Sequence, residues 1–192
     1  EKQKVTAFID EKQFAVPSVA INEAARELSR MGEITAEMVA LCCQALIEKD
    51  FGLAERVLVM EDSQVDPITD ELDGFLIRLM RSELSLKQQK RTFQIKNLLV
   101  DIERVGDMAE DIAQFAQERI EKNIPFTDEA INELDRFWHG AHRNYTMALE
   151  AFTNKDHELA AKVCEVESEF DVLYWQARQR HIERLECGKC KP

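Results

Sequence analysis

Apolar residues recur along this chain at alternating spacings of three and four, in five separate stretches. The first runs Ile21, Ala24, Leu28, Met31, Thr35, Met38, Cys42, Ala45, and the second Val65, Ile68, Leu72, Phe75, Leu79. The third is Ile95, Leu98, Ile102, Val105, Ala109, Ile112, Ala116, and the fourth Ile131, Leu134, Trp138, Ala141, Tyr145, Ala148, Phe152. The fifth is Val163, Val166, Phe170, Leu173, Ala177. At about 3.6 residues per turn each set lies along one face of an α-helix, and the 3–4 alternation suits shallow crossings. The pattern predicts helices over 17–48, 51–82, 86–122, 128–153 and 156–186. Their short connections make sequential neighbours antiparallel. The expected fold is an all-α antiparallel helical bundle.

The boundaries have local causes. Pro17 suits a first helical turn, where its missing N–H costs nothing. Thr127 offers an N-cap after Ile124-Pro125-Phe126. Glu48-Lys49-Asp50 and Asn154-Lys155-Asp156 interrupt the pattern after two long helices. The same two places carry an internal repeat: 48–57 (EKDFGLAERV) matches 154–163 (NKDHELAAKV) at an offset of 106 residues. This divides the chain into an N-terminal linker (1–16), a first three-helix unit (17–124) and a second unit (125–192). The second unit has two helices, its third being missing. Its uncovered seam, including Trp138, Tyr145 and Phe170, is expected to drive self-association through the C-terminal half.

Composition narrows the function. The net charge of −12 disfavours nucleic acid and anionic lipid as partners. No apolar run approaches the roughly 18–20 residues of a membrane span, the longest (Met38–Ile47) being broken by Gln44, so the chain reads as soluble. Five cysteines without a secretory signal suggest reduced thiols, and Cys187-Gly-Lys-Cys190 supplies only two of the four ligands of a structural zinc site. No glycine-rich phosphate loop, nucleophile elbow or nucleophile–base pair is recognisable, so the chain does not read as an enzyme. His139 and His142 stand three apart but lack a third ligand.

Carboxylates spaced four apart recur: Asp62 and Asp66 on the second predicted helix, Glu103 and Asp107 on the third, Glu167 and Asp171 on the fifth. Each pair shares a helical face, where like charges cost a few tenths of a kcal/mol that a bound cation would remove. Their phase against the apolar seams places them on the outer surface, with Glu103 and Asp107 pointing furthest out. That position argues against a di-iron centre in the core, and Glu-x-x-His is absent. The acidic motif repeats at an offset of 105, one residue short of the junction repeat, so a local irregularity must absorb a residue or one match is accidental. Gly106, between Glu103 and Asp107, costs about 1 kcal/mol in a helix interior and points to close approach by another helix or a ligand.

The stretch 100–113, VDIERVGDMAEDIA, resembles the signature of the PhoU family, and EDSQVD and ESEFD are similar to the acidic motif of that family's partner helices. The stretches 24–38 and 180–192 resemble a narrower group, the PhoU-like domains C-terminal to the membrane part of bacterial sodium/phosphate cotransporters. The resemblance implies a PhoU-like repeat of three-helix units, the second incomplete, and a role in regulating phosphate uptake beside a membrane transporter. It implies surface Fe or Zn at a first site of Asp62, Asp66, Glu103 and Asp107, and at a half-built second site of Glu167 and Asp171. No metal would be required for folding. Met108 departs from the pattern, standing where the family usually has His. Three readings follow. The first is a cytoplasmic regulatory domain of a sodium-dependent phosphate transporter, on the inner face of the plasma membrane, its partner the transporter's membrane domain and its sensing linked to phosphate through metal. The second is a stand-alone phosphate-signalling adaptor binding a protein partner. The third, a metal-dependent hydrolase, lacks an activated nucleophile.

Overall fold

The computed structural model describes residues 4–188, and every regular element among them is helical. The long helices are α1 (Pro17–Glu48), α2 (Phe51–Met60), α3 (Asp66–Met80), α4 (Leu86–Glu121), α5 (Asp128–Asn154) and α6 (His157–Glu186). A π-helical turn, Glu61–Val65, joins α2 to α3, so the predicted second helix is one rod wound more loosely at its middle. This extra loop accounts for the one-residue conflict between the repeats. From Asp50 to Asp66 the chain has one residue more than from Asp156 to Asp171, and a π turn inserts one residue into a helix without breaking it.

The junctions repeat in geometry as well as in sequence. Lys49 and Lys155 both adopt the left-handed conformation, at φ 60° and 55°. Asp50 and Asp156 follow as N-caps, Asp50 accepting from Leu53 N at 3.0 Å and Asp156 from Glu158 N and Leu159 N at 3.0 and 2.9 Å. Thr127 caps α5, accepting from Ala130 N at 3.2 Å. Ser85 and Gln88 form a capping box at the start of α4.

α1, the α2–α3 rod and α4 form a three-helix bundle, with α5 packed on α1 and α6 on α5. The first and second predicted seams are buried throughout. The third is rotated: Ile95, Ile102, Ala109 and Ala116 are buried as expected, but Leu98, Val105 and Ile112 are half-buried, and Leu99, Gly106 and Ala113 take the inner positions. α4 meets both α1 and the rod, and the shared direction between them falls on those residues. Arg119 closes the end of the bundle, donating to the carbonyls of Leu46, Ile47 and Ile124 and stacking on Phe126.

Two expectations change. Residues 4–16 do not hang as a linker. Buried Glu27 accepts from Ala7 N and Phe8 N, both at 2.8 Å, while Arg30 donates to Val5 O and Glu71 accepts from Thr6. The uncovered seam of the second unit is also not where the periodicity put it. Tyr145 docks on α1, its hydroxyl 2.7 Å from Thr35 Oγ1, and Phe170 packs edge-to-face on Phe137 at Gly140. The exposed apolar residues of α6 are instead Val172, Leu173, Tyr174, Trp175 and Ile182. Among the described residues α5 is the only close neighbour of α6, which buries Ala177 alone.

Candidate functional site: a carboxylate groove beside the π turn

The π turn gives the acidic site its shape. Asp66 N donates to Glu61 O, the five-residue hydrogen bond of a π turn, so Asp66 is stacked above Glu61 and not above Asp62. Asp62 is turned out to solvent. The expected Asp62–Asp66 pair is thereby replaced by Glu61 and Asp66. Glu61 is 3% exposed, and both its carboxylate oxygens are sealed from solvent with no hydrogen-bond partner among the described residues.

Gly106 of α4 makes the room. A Cβ at that position would stand 2.8 Å from Glu61 Oε2 and 3.2 Å from Val65 Cγ1. The close approach anticipated from the interior glycine is therefore made by a carboxylate. Burial raises the Glu61 carboxyl to about 8, aided by the charges of Asp66, Asp107, Glu110 and Glu103. Glu103 is also raised, first by burial and then by Asp107 and Asp66. Glu103 is half-buried and lies further in than its phase suggested, whereas Asp66 and Asp107 are exposed on the two sides of the groove.

Of the expected first site, Asp66, Glu103 and Asp107 come together, Asp62 does not, and Glu61 and Glu110 join them. The signal that could have found Glu61 was the 105/106 conflict, which required an extra residue between Asp50 and Asp66. On α6, Glu167 and Asp171 are both exposed; among the described residues α5 is the only helix packed closely on α6, and no second acidic helix faces them there. His139 does not join His142: its Nδ1 is 2.7 Å from the Asp135 carbonyl and its ring stacks on Trp138. Cys187 is exposed after α6, and Cys190 lies outside the described residues.

The donors in the groove are all oxygens, which suit hard or borderline cations. An orphaned, buried carboxylate ringed by four others is the environment that a cation would relieve. The side chains do not close on one as they stand: among the described residues no three His, Cys, Asp or Glu groups form a ready metal cage. Asp66 and Asp107, being exposed, would have to swing toward Glu61 and Glu103 to complete it.

Fold and site together define a helical-bundle protein whose most distinctive built feature is a carboxylate set suited to positive charge. The PhoU domain matches residues 28–116 and 134–190, and the chain belongs to that family. It is 28% identical over 159 residues to a phosphate-specific transport system accessory protein PhoU homolog of Clostridium acetobutylicum, covering 80% of this chain and 69% of that one. It is 22% identical over 180 residues to the putative inorganic phosphate export protein YjbB of Salmonella typhimurium, covering 92% of this chain but 32% of the relative. The crystal structure of PhoU from Pseudomonas aeruginosa shares the fold, with a TM-score of 0.80 at 23% identity, covering 92% of this chain and 83% of that one. No helix among the described residues is long and apolar enough to cross a membrane.

Proposed function

We propose that this chain is a regulatory accessory module of a phosphate transport system, which acts by binding a protein partner and catalyses no reaction. Its family membership carries this reading, and the relatives called accessory proteins favour an adaptor over a built-in transporter domain. In this reading the groove is the responsive element. Glu61 and Glu103 anchor a cation of the Fe or Zn type, with Mg or Ca as weaker substitutes, and Asp66 and Asp107 close over it, offering an ion to which phosphate could bind. Two experiments test it. Placed in a bacterium lacking its own PhoU homolog, the chain should restore phosphate-dependent control of uptake; a well-expressed, folded chain that restores nothing refutes the regulatory reading. For the groove, metal at 100 times its dissociation constant should add roughly 2.7 kcal/mol to the stability of metal-stripped protein. Asp66→Asn with Asp107→Asn should abolish that gain and leave the helical content intact. Equal metal-induced shifts in both proteins would remove the groove from the mechanism.

One observation supports a second reading, that the module belongs to a sodium-dependent phosphate transporter on the cytoplasmic side of the membrane. Nearly the whole chain aligns with a third of a putative phosphate export protein. Membrane-spanning segments encoded in the same reading frame would decide for it; a frame without them would decide for the adaptor.

A further inference from the structure

At the opposite end of α4 from Arg119, the start of the helix meets α1 and the α5–α6 junction around a cleft of about 1050 Å³. A second hollow of about 550 Å³ adjoins it, the two sharing Asn22, Arg91, Phe152 and Lys155. Lys87, Lys90 and Arg91 stand three and four residues apart, so one face of α4 lines the larger cleft. Lys155, from the left-handed junction, lines it as well. Asp156 is the sole carboxylate of that lining, and it is engaged as the N-cap of α6. The chain as a whole carries 37 acidic and 25 basic residues, so this concentration of positive charge runs against its composition.

Nothing in the chain offsets that charge. Among the described residues none of the four cations has an ion-pair partner, whereas Lys96, the next basic residue of α4, pairs with Asp73. At the equivalent junction of the first unit Lys49 donates to Asn123 at 3.3 Å; Lys155 lines the cleft instead. α5 and α6 open with acids in their first turns, as the helix dipole favours, but α4 has no acid before Asp101. Its cations crowd the positive end of the dipole, and Lys87 is spaced to repel both Lys90 and Arg91. A bound anion would remove both penalties.

The lining sets the class of anion. Cations on two separate elements, α4 and the α5–α6 junction, are spread too widely for one small phosphate to engage them all, and suit a chain of phosphates. The rest of the wall is apolar: Leu86, Ala148, Ala151, Phe152, Ala160 and Val163. Leu86 is 77% exposed, the most of any large apolar side chain among the described residues. An inorganic anion has no use for such a wall; a flat base does, and Asn22 offers a donor and an acceptor for its edge. We propose that this cleft binds a nucleoside di- or triphosphate, its phosphates among Lys87, Lys90, Arg91 and Lys155 and its base against the apolar wall. The site is separate from the carboxylate groove: Gly106 stands about 24 Å along α4 from Lys90.

The test is isothermal titration calorimetry on the 192-residue chain, backed by equilibrium dialysis, with EDTA present to keep the carboxylate groove free of metal. ATP and ADP should each bind roughly tenfold or more tighter than AMP and orthophosphate, and ATP roughly tenfold or more tighter than tripolyphosphate. Lys87→Glu and Lys90→Glu, both at exposed positions, should each weaken ATP roughly tenfold or more. Lys122→Glu, the same charge change about 48 Å away at the other end of α4, should alter it less than about twofold. Ala160→Trp, which occupies the apolar wall without changing charge, should cost ATP roughly tenfold or more. Asp66→Asn with Asp107→Asn should leave ATP binding as it is. Absence of ATP binding at millimolar concentration overturns the proposal. So does equal affinity for AMP, orthophosphate or tripolyphosphate, or indifference to the Lys87, Lys90 or Ala160 changes. Circular dichroism checks that each variant folds, and the ligand series on the unaltered chain decides by itself should one fail to.

Discussion

Glu61→Gln is the sharpest test of the groove's electrostatics. In the folded protein the Glu61 carboxyl is raised to about 8, from an ordinary value of 4.5, chiefly by burial. Between those values the native state holds a proton that the unfolded state has released. Stability must therefore fall as pH rises from about 4.5 to about 8 and level off above. At 1.36 kcal/mol per unit, the full contribution has a ceiling near ~5 kcal/mol, and relaxation of the side chain toward solvent would bring it to ~2–4 kcal/mol. Glutamine keeps the shape and carries no charge in either state. The variant should match wild type near pH 4.5 and exceed it by ~2–4 kcal/mol at pH 8. Urea unfolding of metal-stripped protein at pH 4.5, 6, 7 and 8 measures this, with the difference between the two proteins isolating Glu61 from the other carboxylates. A difference that does not grow with pH, or a variant less stable at pH 8, would mean that the carboxylate reaches water or a counter-charge in solution. The account of the groove would then fail.

Gly106→Ala should lose the ~1 kcal/mol that alanine ordinarily gains in a helix and end ~1 kcal/mol less stable than wild type, because its methyl meets Glu61 and the buried Val65. Adding Glu61→Ala should relieve much of the loss, which a thermal-melt double-mutant cycle reads. Glu27→Ala should cost ~2–3 kcal/mol, since it strands two backbone donors and frees Arg30. It should also release the N-terminal strap, seen as faster proteolysis within residues 4–16. Tyr145→Phe should cost only ~1 kcal/mol, because the Thr35 hydroxyl keeps its bond to the Gly32 carbonyl; a loss above ~3 kcal/mol would mean that this contact anchors α5 far more strongly than its geometry implies.

Helix existence was legible in the order of residues because a 3–4 repeat and a cap are local properties. The rule that Asp50 and Asp156 stop one helix and start the next needs only the neighbouring backbone, and Thr127 likewise. The first two seams were legible in full. The seam of α4 was not: between α1 and the rod the buried line takes in Leu99, Gly106 and Ala113, and how far round the helix it falls is set by the placement of those two partners. Spacing paired the carboxylates along each helix, and the family resemblance grouped Asp66, Glu103 and Asp107 with Asp62; the first three line one groove in the structure. Glu61 was not grouped with them, because a straight helix puts Asp62 beneath Asp66, and only the π turn, held between α4 and the rest of the rod, puts Glu61 there. Its burial, its orphaned oxygens and its raised carboxyl arise from Gly106 on a helix some forty residues away. The chain's order thus determined which faces are apolar and where helices begin and end; packing alone decided which carboxylate is taken out of water.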